Sequence, residues 1–139
     1  MLILFDIDAT LITTGGVDVV LSNCVLNLVN PHDRPHLFSE LFRVLKPAGR
    51  AVISDIVSNK RVPQQLRDDS QLWSGCISGA FEESEFLAAF RNAGFDKVEL
   101  VTRQSDPWQV IQGIEFRSVT VRAHKTDSRQ LPTITKTCC

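Results

Sequence analysis

The chain has 139 residues, 43% of them hydrophobic and 22% charged, with a net charge of −1, which bounds it at one globular domain and excludes disorder along the whole length. A nearly neutral chain has no overall field to recruit nucleic acid or an anionic membrane. The opening apolar stretch is broken by Asp6 and Asp8 and suits neither a secretory signal nor a membrane span. The expected location is the cytoplasm, where the four cysteines stand as thiols, not as a disulfide framework.

In chain order, residues 2–7 form a short apolar run ending in acidic residues, as for a buried strand whose carboxyl end faces a site. Thr13-Thr14-Gly15-Gly16 is a turn signal. Residues 17–21 suit a strand covered on both faces. Between 33 and 45, Leu37, Phe38, Leu41, Val44 and Leu45 recur at helical spacing, with Asp33 near the start and Lys46-Pro47 at the end. Ala48-Gly49 then turns the chain into a second β-type run, 50–56, giving one parallel crossover unit. A polar stretch, 57–70, has Pro63 as a helix start. Residues 82–93 predict an amphipathic helix with Phe86, Leu87, Phe90 and Ala93 inward, and Gly94 follows where a left-handed residue is wanted. Two strands, 97–103 and 114–123, are expected around a short helical or irregular piece at Pro107 and Trp108. Glu115 and Arg117 read as a solvated face, and Trp73 and Trp108 as packing residues. From Lys125 onward there is no apolar periodicity, so 125–139 reads as a disordered tail, with Cys138-Cys139 an incidental end.

Two runs carry the chemistry: Leu21-Ser22-Asn23-Cys24-Val25-Leu26-Asn27-Leu28 and Trp73-Ser74-Gly75-Cys76-Ile77-Ser78-Gly79-Ala80. Together they resemble the two arsenic-binding cysteine segments of arsenite methyltransferases, which are class I enzymes using S-adenosylmethionine. Phe42-Arg43-Val44-Leu45-Lys46-Pro47-Ala48-Gly49-Arg50 resembles the helix-to-strand turn of that superfamily, with Pro-Ala-Gly in place of the usual Pro-Gly-Gly. Pro107-Trp108 and Gly113 to Val121 also resemble the arsenite enzymes. Over residues 17–124 the resemblance implies an α/β architecture: an incomplete Rossmann-like class I methyltransferase fold, a mixed sheet flanked by helices. It implies methyl transfer to thiolate-bound As(III), with Cys24 and Cys76 holding the arsenic, since soft As(III) prefers thiolates. Asn23 and Asn27 would lie near the transfer line, and Ser22 and Asn23 near the cofactor. The substrate would be a small molecule, arsenite or its thiol conjugate. Taken singly, a cysteine in an apolar run is a packing residue; the paired contexts reverse that reading.

The family's glycine-rich turn and its ribose-binding acidic residue have no counterpart before residue 17, and Gly15-Gly16 precedes a strand instead of a helix. The chain therefore reads as a truncated enzyme, either turning over or inactive for want of the cofactor-binding half. A non-catalytic As(III)-binding thiol module is the alternative outside enzymology. An uncovered sheet edge would invite self-association, unless the first run pairs with residues 17–21.

Residues 1–16 carry a different likeness. Leu4-Phe5-Asp6-Ile7-Asp8-Ala9-Thr10-Leu11 resembles the first motif of haloacid-dehalogenase-type phosphatases, with Ala9 where glycine is usual. By that match Asp6 would be the nucleophile and Asp8 the general acid/base, with Mg²⁺ between them. The alternative is that the two aspartates merely terminate a strand.

Overall fold

The structure, a computed structural model, describes residues 2–4, 16–74 and 77–126. Among them, the order of elements is β1 (Leu2–Leu4), β2 (Val17–Asn23), a single 3-10 turn (Leu26–Leu28), α1 (Arg34–Val44), β3 (Leu45–Ser58), α2 (Gln64–Arg67), α3 (Ser70–Ser74), β4 (Phe81–Glu82), α4 (Glu83–Asn92), β5 (Lys97–Arg103), β6 (Gln109–Ile111) and β7 (Ile114–His124). The strands form one mixed sheet with the path β1-β2-β3-β7-β5, β4 pairing with β3 and β6 with β7. β1, β2 and β3 are mutually parallel, and β7 runs antiparallel to both of its neighbours β3 and β5. The expected parallel crossover is present as β2-α1-β3. The expected pairing of the first run with the second is also present, Leu2 to Leu4 lying opposite Val19 to Leu21.

Helices α1 and α4 cover one face of the sheet. Alternation along β3 sends Ala51, Ile53 and Val57 to that face, where each is buried together with Val119, Val121 and Ala123 of β7. The helices answer with aromatic rings. Phe90 meets Phe38 edge-on with centroids 4.9 Å apart, and Phe86 with centroids 5.3 Å apart, the offset geometry that ring quadrupoles favour. α4 ends as its sequence predicts: Gly94 has φ +111°, and the N–H of Phe95 returns to the carbonyl of Phe90 at 3.2 Å, a Schellman closure. A smaller cluster of Val62, Leu66, Ile77, Ala80, Ile114 and Phe116 gathers beneath the connection between β3 and β4.

The turn from α1 into β3 is tight. Ala48 takes φ +67°, and a Cβ on Gly49 would lie 2.8 Å from the carbonyl oxygen of Lys46 and 3.0 Å from that of Asp18. The register with β2 slips here, Val17 pairing with Leu45 but Val19 with Arg50. Lys125 closes the same corner. Its Nζ donates to the carbonyls of Phe42 and Leu45, both at 2.9 Å, and sits 4.4 Å from the Phe42 ring centroid, so a cation serves the last carbonyls of α1.

Four expectations need correction. Lys125 and Thr126 belong to the ordered fold, since Lys125 makes four hydrogen bonds and the N–H of Thr126 donates to Asp96 Oδ2 at 3.0 Å; residues 127–139 lie outside the described residues. The segment after Trp108 is a strand, β6, joined to β7 by a two-residue hairpin whose central residues, Gln112 at φ +51° and Gly113 at φ +77°, both lie in the left-handed region that such hairpins require. Trp108 is half exposed instead of packed. Arg117 is buried instead of solvated. Its position in β7 shares the helix-facing parity of Val119, and its Nη1 donates to the carbonyls of Gln104 and Ser105 at 3.1 and 2.9 Å.

Candidate functional site

The site is assembled where β2 and β3 point their carboxyl ends, the position at which open α/β sheets hold ligands. β2 finishes with Ser22 and Asn23, opposite Ile53 and Ser54 in register. The Ser22 hydroxyl is buried and, among the described residues, has no hydrogen-bond partner. Asn23 is exposed. Cys24 then leaves the sheet at φ +56°, a conformation uncommon for a non-glycine residue. Its N–H donates to the Ser54 carbonyl at 2.9 Å, which keeps the residue pinned to β3 as the chain turns. Cys24 is exposed. Partial burial of the thiol raises its pKa, and the charge of Asp55 adds to the rise.

Asp55 is 1% exposed. Its Oδ1 accepts the N–H of Ile56 at 2.9 Å and its Oδ2 the N–H of Asn27 at 3.3 Å. Burial lifts its carboxyl to about 6, outweighing those donors and the Arg34 charge, which act downward. Asn27 is buried in the 3-10 turn, and its Nδ2 donates to the Ile56 carbonyl at 2.7 Å. It is thus a backbone-bonding residue that ties the turn after Cys24 to β3.

Arg34, at the start of α1, reaches back into this turn although only 7% of it is exposed. Its Nε donates to the Val29 carbonyl at 3.1 Å, and its Nη2 donates to the carbonyls of Asn27 and Gly79. The guanidinium carbon lies 4.1 Å from the Phe81 ring centroid. Burial, then the nearby Arg67 charge, lower its pKa to about 10, against the opposing pull of Asp55 and Glu85. Gly79 packs so closely that a Cβ there would fall 1.9 Å from the Asn27 carbonyl oxygen.

Of the residues singled out in the sequence, the structure therefore brings Ser22, Asn23, Cys24 and Asn27 together. Cys76, Asp6 and Asp8 lie outside the described residues. Among the described residues, no group of three or more His, Cys, Asp or Glu side chains could hold a metal ion. Asp55 and Arg34 were not anticipated. The one available signal for Asp55 was a carboxylate interrupting an apolar β-type run.

The family model of the methyltransferase domain matches this chain over residues 3–94. The chain belongs to that family. As a methyltransferase-domain chain it has the Rossmann-like α/β fold, and its similarity is to arsenite methyltransferases in particular. It is 38% identical to the arsenite methyltransferase of Halobacterium salinarum over 88 residues, 63% of this chain and 22% of that protein. It is 33% identical to that of Aquipseudomonas alcaligenes over 128 residues, 88% of this chain and 36% of that protein. Among solved structures, an arsenic(III) S-adenosylmethionine methyltransferase from Chlamydomonas reinhardtii superposes with a TM-score of 0.70 at 29% identity, covering 83% of this chain and 40% of that one. The methyltransferase-domain chain thus spans well under half the length of these relatives. No helix among its described residues is long and apolar enough to cross a membrane.

Proposed function

We propose that this chain carries the substrate-thiol part of an S-adenosylmethionine-dependent arsenite methyltransferase, with Cys24 and Cys76 as the thiolates that hold As(III). The observation that carries the reading is Cys24 itself: an exposed thiol in a left-handed backbone conformation at the carboxyl end of β2. A non-glycine residue persists in that conformation only where its surroundings over-determine it, and such residues cluster at functional sites. The similarity to arsenite methyltransferases supports the identity of the ligand.

Ser22 and Asn23 are the residues that would hold S-adenosylmethionine on this half, and the buried Ser22 hydroxyl, without a hydrogen-bond partner among the described residues, fits a polar contact to a ligand. When bound, that group supplies an electrophilic methyl on a sulfonium. The protein's contribution is orientation: thiolates that fix arsenic would aim its lone pair along the transfer line. The methyl group would be received by that lone pair, with the sulfonium leaving as a neutral thioether.

The test is incubation with As(III), excess thiol and methyl-labelled S-adenosylmethionine. Label on arsenic, abolished by Cys24→Ser, supports the enzyme. Stoichiometric, Cys24-dependent arsenic binding without label would instead make the chain a thiol module. Arsenic retention unchanged by Cys24→Ser overturns both.

A further inference from the structure

We propose that a cavity between α1, α4 and the segment ending in α2 is a second binding site, suited to the phosphate group of a small organic ester. Its volume is about 350 Å³, and its lining includes Arg34, Arg61, Arg67 and Glu85 with the rings of Phe38 and Phe81. Small-molecule sites ordinarily measure roughly 300–1,000 Å³. Ser22, Asn23, Cys24 and Asn27 do not line this cavity, so the inference goes beyond the methyl-transfer reading and stands without it.

Arg34 carries the argument. It is more than nine-tenths buried, with 7% of its surface exposed, and its Nε and Nη2 donate to the Val29, Asn27 and Gly79 carbonyls. Nη1 has no partner among the described residues, yet it is not one of the unpartnered atoms sealed from solvent. It therefore opens into the cavity that Arg34 lines, with two N–H donors unused. Arg67, the last residue of α2, uses only Nε, which donates to the Val62 carbonyl at 3.0 Å. Among the described residues, none of the three arginines is ion-paired with a carboxylate. Three guanidinium groups thus face one carboxylate, Glu85, a surplus of two positive charges. A phosphate monoester, whose second pKa is about 6, brings close to two negative charges at neutral pH. The lining charges also sense one another. Burial, then the Arg67 charge, lower the pKa of Arg34 to about 10, while Asp55 and Glu85 oppose them. A bound dianion would relieve the repulsion between the arginines, and guanidinium forks match phosphate oxygens in pairs. A lone exposed arginine such as Arg61 is ordinarily a solvated residue; here it shares a cavity with a buried one. Phe38 and Phe81, edge-on with centroids 6.0 Å apart, add an apolar wall that an ester's organic part can cover and a free phosphate ion cannot.

The experiment titrates the full chain with phenyl phosphate and, separately, with inorganic phosphate, by isothermal titration calorimetry in a low-salt buffer. The expected result is saturable single-site binding of phenyl phosphate, severalfold tighter than that of inorganic phosphate. Arg61→Gln and Arg67→Gln should each weaken it at least about tenfold, the loss of a hydrogen bond between charged groups. Neither residue belongs to the buried core, and thermal unfolding of each variant checks its fold. Glu85→Gln, at an exposed position, should tighten binding, a gain that loss of structure does not produce. Absence of saturable phenyl phosphate binding at millimolar concentration overturns the proposal, as does an affinity unchanged in folded Arg61→Gln and Arg67→Gln chains or weakened by Glu85→Gln. Equal affinity for the two probes overturns the assignment of an ester.

Discussion

Replacing Ala48 by glycine should stabilise this protein. Ala48 sits at φ +67°, where an L-residue's Cβ crowds the following carbonyl at a cost of roughly 1–2 kcal/mol. The alanine side chain is exposed, so removing its methyl group forfeits almost no burial. Its N–H donates to the Lys125 carbonyl at 2.9 Å, a bond that glycine keeps. Against the gain stands the greater freedom of glycine in the unfolded chain, about 0.4–1 kcal/mol. The difference is a net stabilisation of about 0.5–1 kcal/mol. Urea unfolding followed by tryptophan fluorescence reads this as a higher midpoint at unchanged slope. A midpoint equal to or below that of the parent would refute the argument from left-handed strain. The neighbouring exchange Gly49→Ala must go the other way, because its new Cβ would meet the Lys46 and Asp18 carbonyls at 2.8 and 3.0 Å; a loss of roughly 2 kcal/mol or more is expected.

Asp55 gives a dependence on pH. Its carboxyl is raised from 3.8 to about 6 in the fold, so its contribution to stability is complete below 3.8 and disappears as pH climbs through about 6, amounting to about 3 kcal/mol. The stability of Asp55→Asn relative to the parent should therefore increase between roughly pH 4 and pH 7, and a difference that stays constant across that range would count against a buried, raised carboxyl. The same substitution removes a charge that raises the Cys24 thiol, so alkylation of Cys24 at neutral pH should become faster, although burial, the larger cause, remains. Phe90 is fully buried and touches the rings of Phe38, Phe86 and Phe95; Phe90→Ala should lower unfolding stability by about 3–5 kcal/mol, measurable by thermal or urea unfolding.

What could be read from the sequence was what depends on local periodicity. The spacing of Phe38, Leu41 and Val44 gives α1 and its inner face, and Gly94 marks the end of α4 because the left-handed residue and the helix end are neighbours in sequence. Cys24 is singled out by the words around it, and the structure sets it, exposed, just beyond the carboxyl end of β2. Asp55 and Arg34 are not singled out, because their meaning is made by partners far along the chain. The carboxylate is held by an N–H 28 residues away, and the guanidinium by a carbonyl 45 residues away. At the start of a helix an arginine looks like surface. The β6–β7 hairpin was missed for a different reason: Gln112-Gly113 lacks the Asn or Asp that ordinarily announces two left-handed residues in succession.

The placement of β7 between β3 and β5 has a consequence for the order in which the molecule assembles. Among the described strands, β5 precedes β7 in the chain but reaches the sheet only through it, so β5 has no described docking edge until residues 114–124 have arrived. On a ribosome, β1, β2, α1 and β3 can join as they emerge, and α4 can set Phe90 against Phe38 of α1, whereas β5 must wait for β7. Late-arriving, distant pairings of this kind slow folding and prolong exposure of sticky intermediates. Expression at low temperature or with holdase chaperones should therefore raise the soluble yield more than any change confined to β1 or β2.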